Sequence, residues 1–362
     1  MSSETLNSLL EYAVDRNASD LHIRVGLPPK IRMAGSLVDA TKEPLSTKEV
    51  EEQLLGILTE EQKDRLFSTG DLDFIYAISG VSRFRVNYFK YIHGLGGAFR
   101  TIPQRIRTVE QLNLPSSIRS FAELRSGLVL VTGPTGCGKS TTLAALIGHI
   151  NNTFRRHIVT IEDPIEYMHY NKKSIINQRQ VGSETGTFVG ALRASLHQDP
   201  EVLLIGEMRD YETIRLVVTA AETGILVFAT LHTNSAEKTL NRIIDVFPSG
   251  EQARVRAMLS ESLKGVIAQN LLKTRDGRSR VPAVEVLFVT PGVSHLVRQG
   301  KINEIVSLMQ AGRSQGMITM DDSLWTLMRE GAISPETAYL YAGNKRRFEK
   351  FAKGVMTEIT RG

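Results

Sequence analysis

The chain has 362 residues, enough for two domains of ordinary size, each with its own core. Its 44 basic and 39 acidic residues are mixed along the sequence and leave a net charge of +5, which permits an acidic partner without demanding one and supports nucleic acid only weakly, so no nucleic-acid partner is expected. A single cysteine excludes an internal disulfide and a multi-cysteine zinc site, and with neither a secretory h-region nor an apolar run of about 18 residues the expectation is a cytoplasmic protein.

In chain order, apolar spacing predicts an amphipathic helix over residues 4–16, carried by Leu6, Leu9, Leu10 and Ala13. "SDLHIRV" alternates as a half-buried strand, and "GLPPKIRMAGSL" reads as a turn followed by a second short strand. Residues 47–67 read as one helix with Val50, Leu54, Leu55 and Leu58 inward. "SRFRVNYF" is a strand with Phe84, Val86 and Tyr88 on one face and Arg83, Arg85 and Asn87 on the other. These elements make a small α/β domain over residues 1–102. A proline-bracketed segment, 103–118, is expected to be the joint to a second domain, 119–362.

Past that joint, "GLVLVT", "HIVTIE", "EVLLIGE" and "ILVFATLH" are nearly continuous apolar runs separated by helical patterns, as in a parallel sheet covered on both faces. "VRAMLSESLKGVIAQNLL" reads as a helix with Val255, Met258, Leu259, Leu263, Val266 and Ile267 on one face. "TRDGRSRVPAVEVLFVT" reads as a hairpin turned at Asp276-Gly277. Near the C-terminus Lys345, Arg346, Arg347, Lys350 and Lys353 form a basic run, either a solvated face or a contact for a membrane surface or acidic partner.

The strongest chemical signal is "GPTGCGKS", residues 133–140, which satisfies G-x-x-x-x-G-K-[ST] between a strand and a helix. Its residues Gly133, Pro134, Thr135, Gly136, Cys137, Gly138, Lys139, Ser140 and Thr141 form the expected nucleotide cradle. Backbone N–H groups from Gly136 to Lys139 would surround the β-phosphate of ATP, and Lys139 would add positive charge near the β- and γ-phosphates. The Ser140 hydroxyl suits Mg²⁺, and Thr141 suits the α-phosphate. Cys137 has two readings: a small residue equivalent to serine, or a thiol whose pKa the helix N-terminus lowers.

Hydrolysis also requires carboxylates. Three downstream strands end in Glu162, Glu207 and His232, which a parallel sheet would bring to the same edge as the phosphate loop. Glu162 and Glu207 are the expected general base and Mg²⁺-shell carboxylate, with the two roles unassigned between them. His232 would sense the γ-phosphate through a hydrogen bond.

With these residues in view, the chain resembles the secretion-ATPase superfamily, and within it the PilT-type retraction ATPases of bacterial type IV pili. The resemblance runs from "SDLHIRVGLPPKIRMAG" almost to the C-terminus. It is carried by "GPTGCGKSTTLAALI", "IVTIEDPIEY", "DPEVLLIGEMRDYETI" and "AAETGILVFATLHTNSAEKTLNRIIDVFP". It implies a PAS-like N-terminal domain, a RecA-like P-loop ATPase domain with a helical C-terminal region, and a homohexamer with ATP between subunits. It further implies that Arg83, Arg85 or Arg100 reaches the γ-phosphate of a neighbouring subunit. The implied setting is peripheral, at an inner-membrane pilus platform protein, with a paralogous pilus ATPase as a further partner. The family pattern is not met at His197, Ile225 and Ser294. Alongside a retraction motor stand an accessory, PilU-like ATPase and a nucleotide-dependent regulator.

Overall fold

The computed structural model describes residues 5–33, 35–102 and 105–352. The chain divides into two compact units, Met1–Arg105 and Ile106–Gly362.

The first unit is an antiparallel six-stranded sheet with helices against its apolar face. Its strands are β1 (Asp20–Arg24), β2 (Lys30–Met33), β3 (Ser36–Asp39), β4 (Asp71–Ile78), β5 (Ser82–Tyr91) and β6 (Gly94–Ile102), in the order β3-β2-β1-β6-β5-β4. Helix α1 (Leu6–Asp15) matches the predicted amphipathic segment. The single helix expected over 47–67 is instead two, α2 (Thr47–Leu55) and α3 (Glu60–Thr69). The reason is local: α2 closes at Gly56, and Thr59 with Gln62 forms a capping box that starts α3. Phe84, Val86 and Tyr88 are buried, as the alternation of "SRFRVNYF" requires, together with Leu21, Ile23, Leu54 and Phe99.

The second unit is built on a seven-stranded sheet. Its strands are β7 (Gly127–Thr132), β8 (His157–Glu162), β9 (Ile175–Gln180), β10 (Val202–Ile205), β11 (Leu226–Leu231), β12 (Leu263–Lys273) and β13 (Arg280–Phe288). The order is β13-β12-β7-β11-β10-β8-β9, parallel throughout except for the antiparallel edge pair β12–β13. Both faces are covered, so Leu128 and Leu130 enter one core while Val129 and Val131 enter the other. One core contains α4 (Lys139–Thr153); the other contains α5 (Phe188–Ser195), α6 (Tyr211–Glu222), α7 (Ala236–Asp245) and α8 (Ser249–Ser262). After β13 come α9 (Pro291–Gln299), α10 (Ile305–Ala311) and α11 (Met320–Arg329).

Two expectations change here. The helix read across residues 255–267 stops at Ser262, and Leu263 begins β12. Gly265, Val266, Ile267 and Ala268 fit between β7 and β13, where a Cβ at Gly265 would overlap the Phe121 ring. The segment read as a joint, 103–118, belongs from Ile106 onward to the second unit, with Val109, Leu114 and Ile118 buried in its core. Pro103 lies outside the described residues. The expected hairpin is present as β12–β13, with Gly277 at φ 70° in its turn. In the basic run Arg347 donates to Asp322 and Lys345 to the Tyr339 and Leu340 carbonyls; Lys353 lies outside the described residues. Among the described residues no helix is long and apolar enough to cross a membrane.

Candidate functional site

Because β7, β8, β10 and β11 are parallel, their C-terminal ends fall on one edge of the sheet. The phosphate loop follows β7, Glu162 ends β8, Glu207 lies two residues past β10, and His232 follows β11. All four border a single cavity of about 770 Å³, which Thr135, Gly136, Gly138, Lys139, Ser140 and Thr141 also line. The sequence-predicted groups of this unit therefore converge. Gly133 and Pro134 contribute through their carbonyls, which accept from Lys139 Nζ at 2.8 and 3.2 Å. The Cys137 amide donates to the Pro134 carbonyl across the turn, at 3.2 Å.

Cys137 itself is buried, and burial pushes its thiol up, outweighing the pull of Lys139 and nearby backbone dipoles. Burial thus favours the first reading, a small residue packed against Gly133, over a thiol with a lowered pKa.

Around the carboxylates the geometry separates two environments. Glu162 Oε1 accepts from the Thr160 hydroxyl at 2.7 Å and from Gln178 Nε2 at 3.2 Å. Burial nevertheless pushes its carboxyl above the usual range, the hydrogen bonds only opposing that rise. Glu207 is more open and charge-paired: Oε2 lies 2.9 Å from Arg209 Nε and Oε1 lies 3.1 Å from His232 Nε2. His232 Nδ1 is in turn 3.5 Å from Lys139 Nζ. Arg209 also lies 3.9 Å from Asp163, linking the ends of β8 and β10.

Several lining residues were not singled out from sequence. Tyr167 shares a 2.8 Å hydrogen bond with Thr141, and His169, held neutral by burial with a pKa lowered to about 4, borders the same cavity. Gln178 ties this region together, donating to the Tyr167 carbonyl and accepting from the His169 amide. Their only sequence signal was proximity to Glu162, within "IVTIEDPIEYMHY" and the polar edge strand β9.

Arg83, Arg85 and Arg100 belong to the first unit. Arg85 and Arg100 are direct cross-strand partners, both exposed, and Arg83 is two residues before Arg85 on the same face of β5. Arg100 Nε donates to Asp20 at 2.9 Å.

Comparison with known proteins places the chain in a family. The family model described as "Type II/IV secretion system protein" matches residues 2–330. The type IV pilus retraction ATPase PilT of Pseudomonas aeruginosa is 47% identical, over 92% of this chain and 96% of its own length. The type IV pilus ATPase PilU of the same organism is 41% identical, over 92% of this chain and 87% of its own. A crystal structure of the pilus retraction motor PilT with bound ADP superposes with a TM-score of 0.89 at 40% identity, covering 96% of this chain and all of that one. The chain belongs to the type II/IV secretion system protein family, as an ATPase of the PilT type.

Proposed function

We propose that this chain is the subunit of a hexameric ring motor that spends ATP on type IV pilus retraction. The observation that carries the reading is the full-length similarity to a PilT retraction ATPase, joined to a cavity in which the phosphate loop, Glu162, Glu207 and His232 meet.

Lys139, now on loop carbonyls, would turn to the β- and γ-phosphates of ATP. Glu162 is the better general base, because burial favours its taking up a proton and its hydrogen-bond donors fix its orientation. Glu207, open and paired, is the better member of a Mg²⁺ shell. The donor set fits that ion: the Ser140 hydroxyl and the Glu207 carboxylate are hard oxygens beside the cradle. Ser140 and Glu207 are the residues that would hold such an ion. Its chemistry there is charge neutralisation at the phosphates. His232, bridging towards both Glu207 and Lys139, would report the γ-phosphate.

Arg83, Arg85 and Arg100 would act on the ATP of a neighbouring subunit, with the ring working at the inner-membrane pilus platform. A paralogous pilus ATPase is a further expected partner.

The test is a count of surface pili and a measurement of surface motility in cells whose only copy carries Lys139→Ala. Excess pili with lost motility is the expected result. Unchanged pili and motility would assign an accessory, PilU-like or regulatory role instead, and fewer pili would assign extension.

A further inference from the structure

Packed against the phosphate loop, and not among the residues that line the cavity, lies a side chain from a strand more than a hundred residues downstream. Gln269 is on β12, the parallel neighbour of β7, one residue past the pair Ala268–Thr132. It is only 2% exposed. Its Nε2 donates to the Cys137 carbonyl at 2.7 Å, and its Oε1 accepts from the Thr142 hydroxyl at 2.8 Å. A carbonyl can only accept, so the amide nitrogen must be the end that faces Cys137. Both ends of the side chain are thus committed to the loop and to the first turn of α4.

The loop glycines fit this residue closely. A Cβ at Gly133 would overlap the backbone carbonyl oxygen of Gln269, and a Cβ at Gly138 would sit 3.1 Å from its side-chain Nε2. Gly138 also has φ 93°, so the Cys137–Gly138 peptide is followed by a residue without the usual barrier to rotation. In a trans peptide the C=O and the following N–H point in opposite directions. Holding the Cys137 carbonyl back against β12 therefore turns the Gly138 N–H forward, to the phosphate side. A flipped peptide would present a carbonyl to phosphate in its place.

We propose that Gln269 is a positioning residue for nucleotide binding, locking the Cys137–Gly138 peptide so that the cradle offers a donor where phosphate binds. This inference needs only that the chain binds ATP; it stands or falls apart from the pilus reading.

The experiment uses the full chain with Gln269→Glu and Gln269→Met. Glu has the shape of Gln and still accepts from Thr142; once ionised, in assays carried up to about pH 9, its carboxylate gives the Cys137 carbonyl no donor, whereas its protonated form would still donate, and Met removes both bonds. Steady-state hydrolysis should show the KM for ATP raised at least about tenfold in both, the scale of one lost hydrogen bond to a charged group. At saturation kcat should stay within about threefold of the parent, because bound phosphate restores the peptide's orientation. Cys137 is the only cysteine, so its alkylation rate in the folded, nucleotide-free protein reads the loop directly and should rise. If Gln269→Met fails to fold, Gln269→Glu alone decides. An unchanged KM with unchanged Cys137 alkylation in Gln269→Glu would overturn the proposal, as would a fall in kcat at constant KM.

Discussion

His232 Nε2 lies 3.1 Å from Glu207 Oε1, so the residues that follow β11 and β10 are tied across the top of the sheet. The other Glu207 oxygen is held by Arg209, and the other His232 nitrogen faces Lys139. Groups joined in one network lose their function together. Glu207→Gln is expected to lower kcat about 10²-fold, the scale of one misplaced electrostatic group. The double variant Glu207→Gln/His232→Ala should be no slower than the slower single, because either change breaks the same link. Independent, multiplying losses in steady-state assays would refute the coupling.

Glu162 carries a pH prediction. Burial raises its carboxyl, and the Thr160, Gln178 and Glu166 amide hydrogen bonds only moderate that. A base works ionised, so kcat should climb as pH rises through this elevated pKa. Glu162→Gln should abolish that limb and cost about 10²–10³-fold. For stability the sign is opposite. A raised carboxyl favours the folded state below its unfolded pKa, and that contribution fades as pH rises through the folded value. At neutral pH, above the unfolded carboxyl range, keeping this raised carboxyl in the fold is a cost, so Glu162→Gln should melt higher while turning over slower. A variant that melts lower at pH 7.5 would contradict this account.

How much of this was readable beforehand depended on whether a signal was local. The loop "GPTGCGKS" is contiguous, and Glu162, Glu207 and His232 each close an apolar run, so strand order alone brought them together. Gln269 had no such mark, because its role depends on β12 lying beside β7, a pairing across more than a hundred residues. The same strand was misread as helix, since Leu259, Leu263, Val266 and Ile267 satisfy helical spacing and a fully buried strand shows no alternation to oppose it. At residues 47–67 the restart was legible in Thr59 and Gln62, but the apolar stripe outweighed it. β4 and β6 were not predicted; Gly94, Gly96 and Gly97 give β6 a weak pattern, although Phe89 and Tyr88 cover two of those glycines.

On the first unit, Asp20 holds Arg100. It accepts from Arg100 at 2.9 Å and lies 3.6 Å from Arg32. Burial alone would raise Asp20, yet the Ser19 hydroxyl and Arg100 together keep its carboxyl below the usual range. If Arg100 completes a neighbour's site, Arg100→Ala should lower kcat about 10³-fold while ADP affinity holds. Mixing the slow Arg100→Ala protein with the slow Glu207→Gln protein should then raise activity above that of either alone, since some interfaces regain both residues. No recovery after subunit exchange would place the arginine's effect within its own chain.

Glu285, on β13 beside Ala268, ties the His232 segment to the C-terminal helices. Its Oε1 accepts the Ala236 amide at 2.7 Å, at the start of α7 four residues after His232, and its Oε2 accepts the Met320 amide at 3.3 Å, at the start of α11. One buried carboxylate thus serves two helix N-termini, where negative charge is favoured. Burial still raises its pKa, with the two amides opposing. Its contribution is therefore greatest below the unfolded carboxyl range and declines as pH rises through the folded value. Glu285→Ala would leave both amides unpaired, at about 1–3 kcal/mol each if they stay buried. Hydrogen exchange at Ala236 and Met320 should accelerate together in that variant, by about tenfold or more, with the core amides of β10 unaffected. Glu285→Gln keeps an acceptor for one helix only, so one of the two amides should stay protected. Equal protection of both in Glu285→Ala would mean that the helices hold their places without the shared carboxylate.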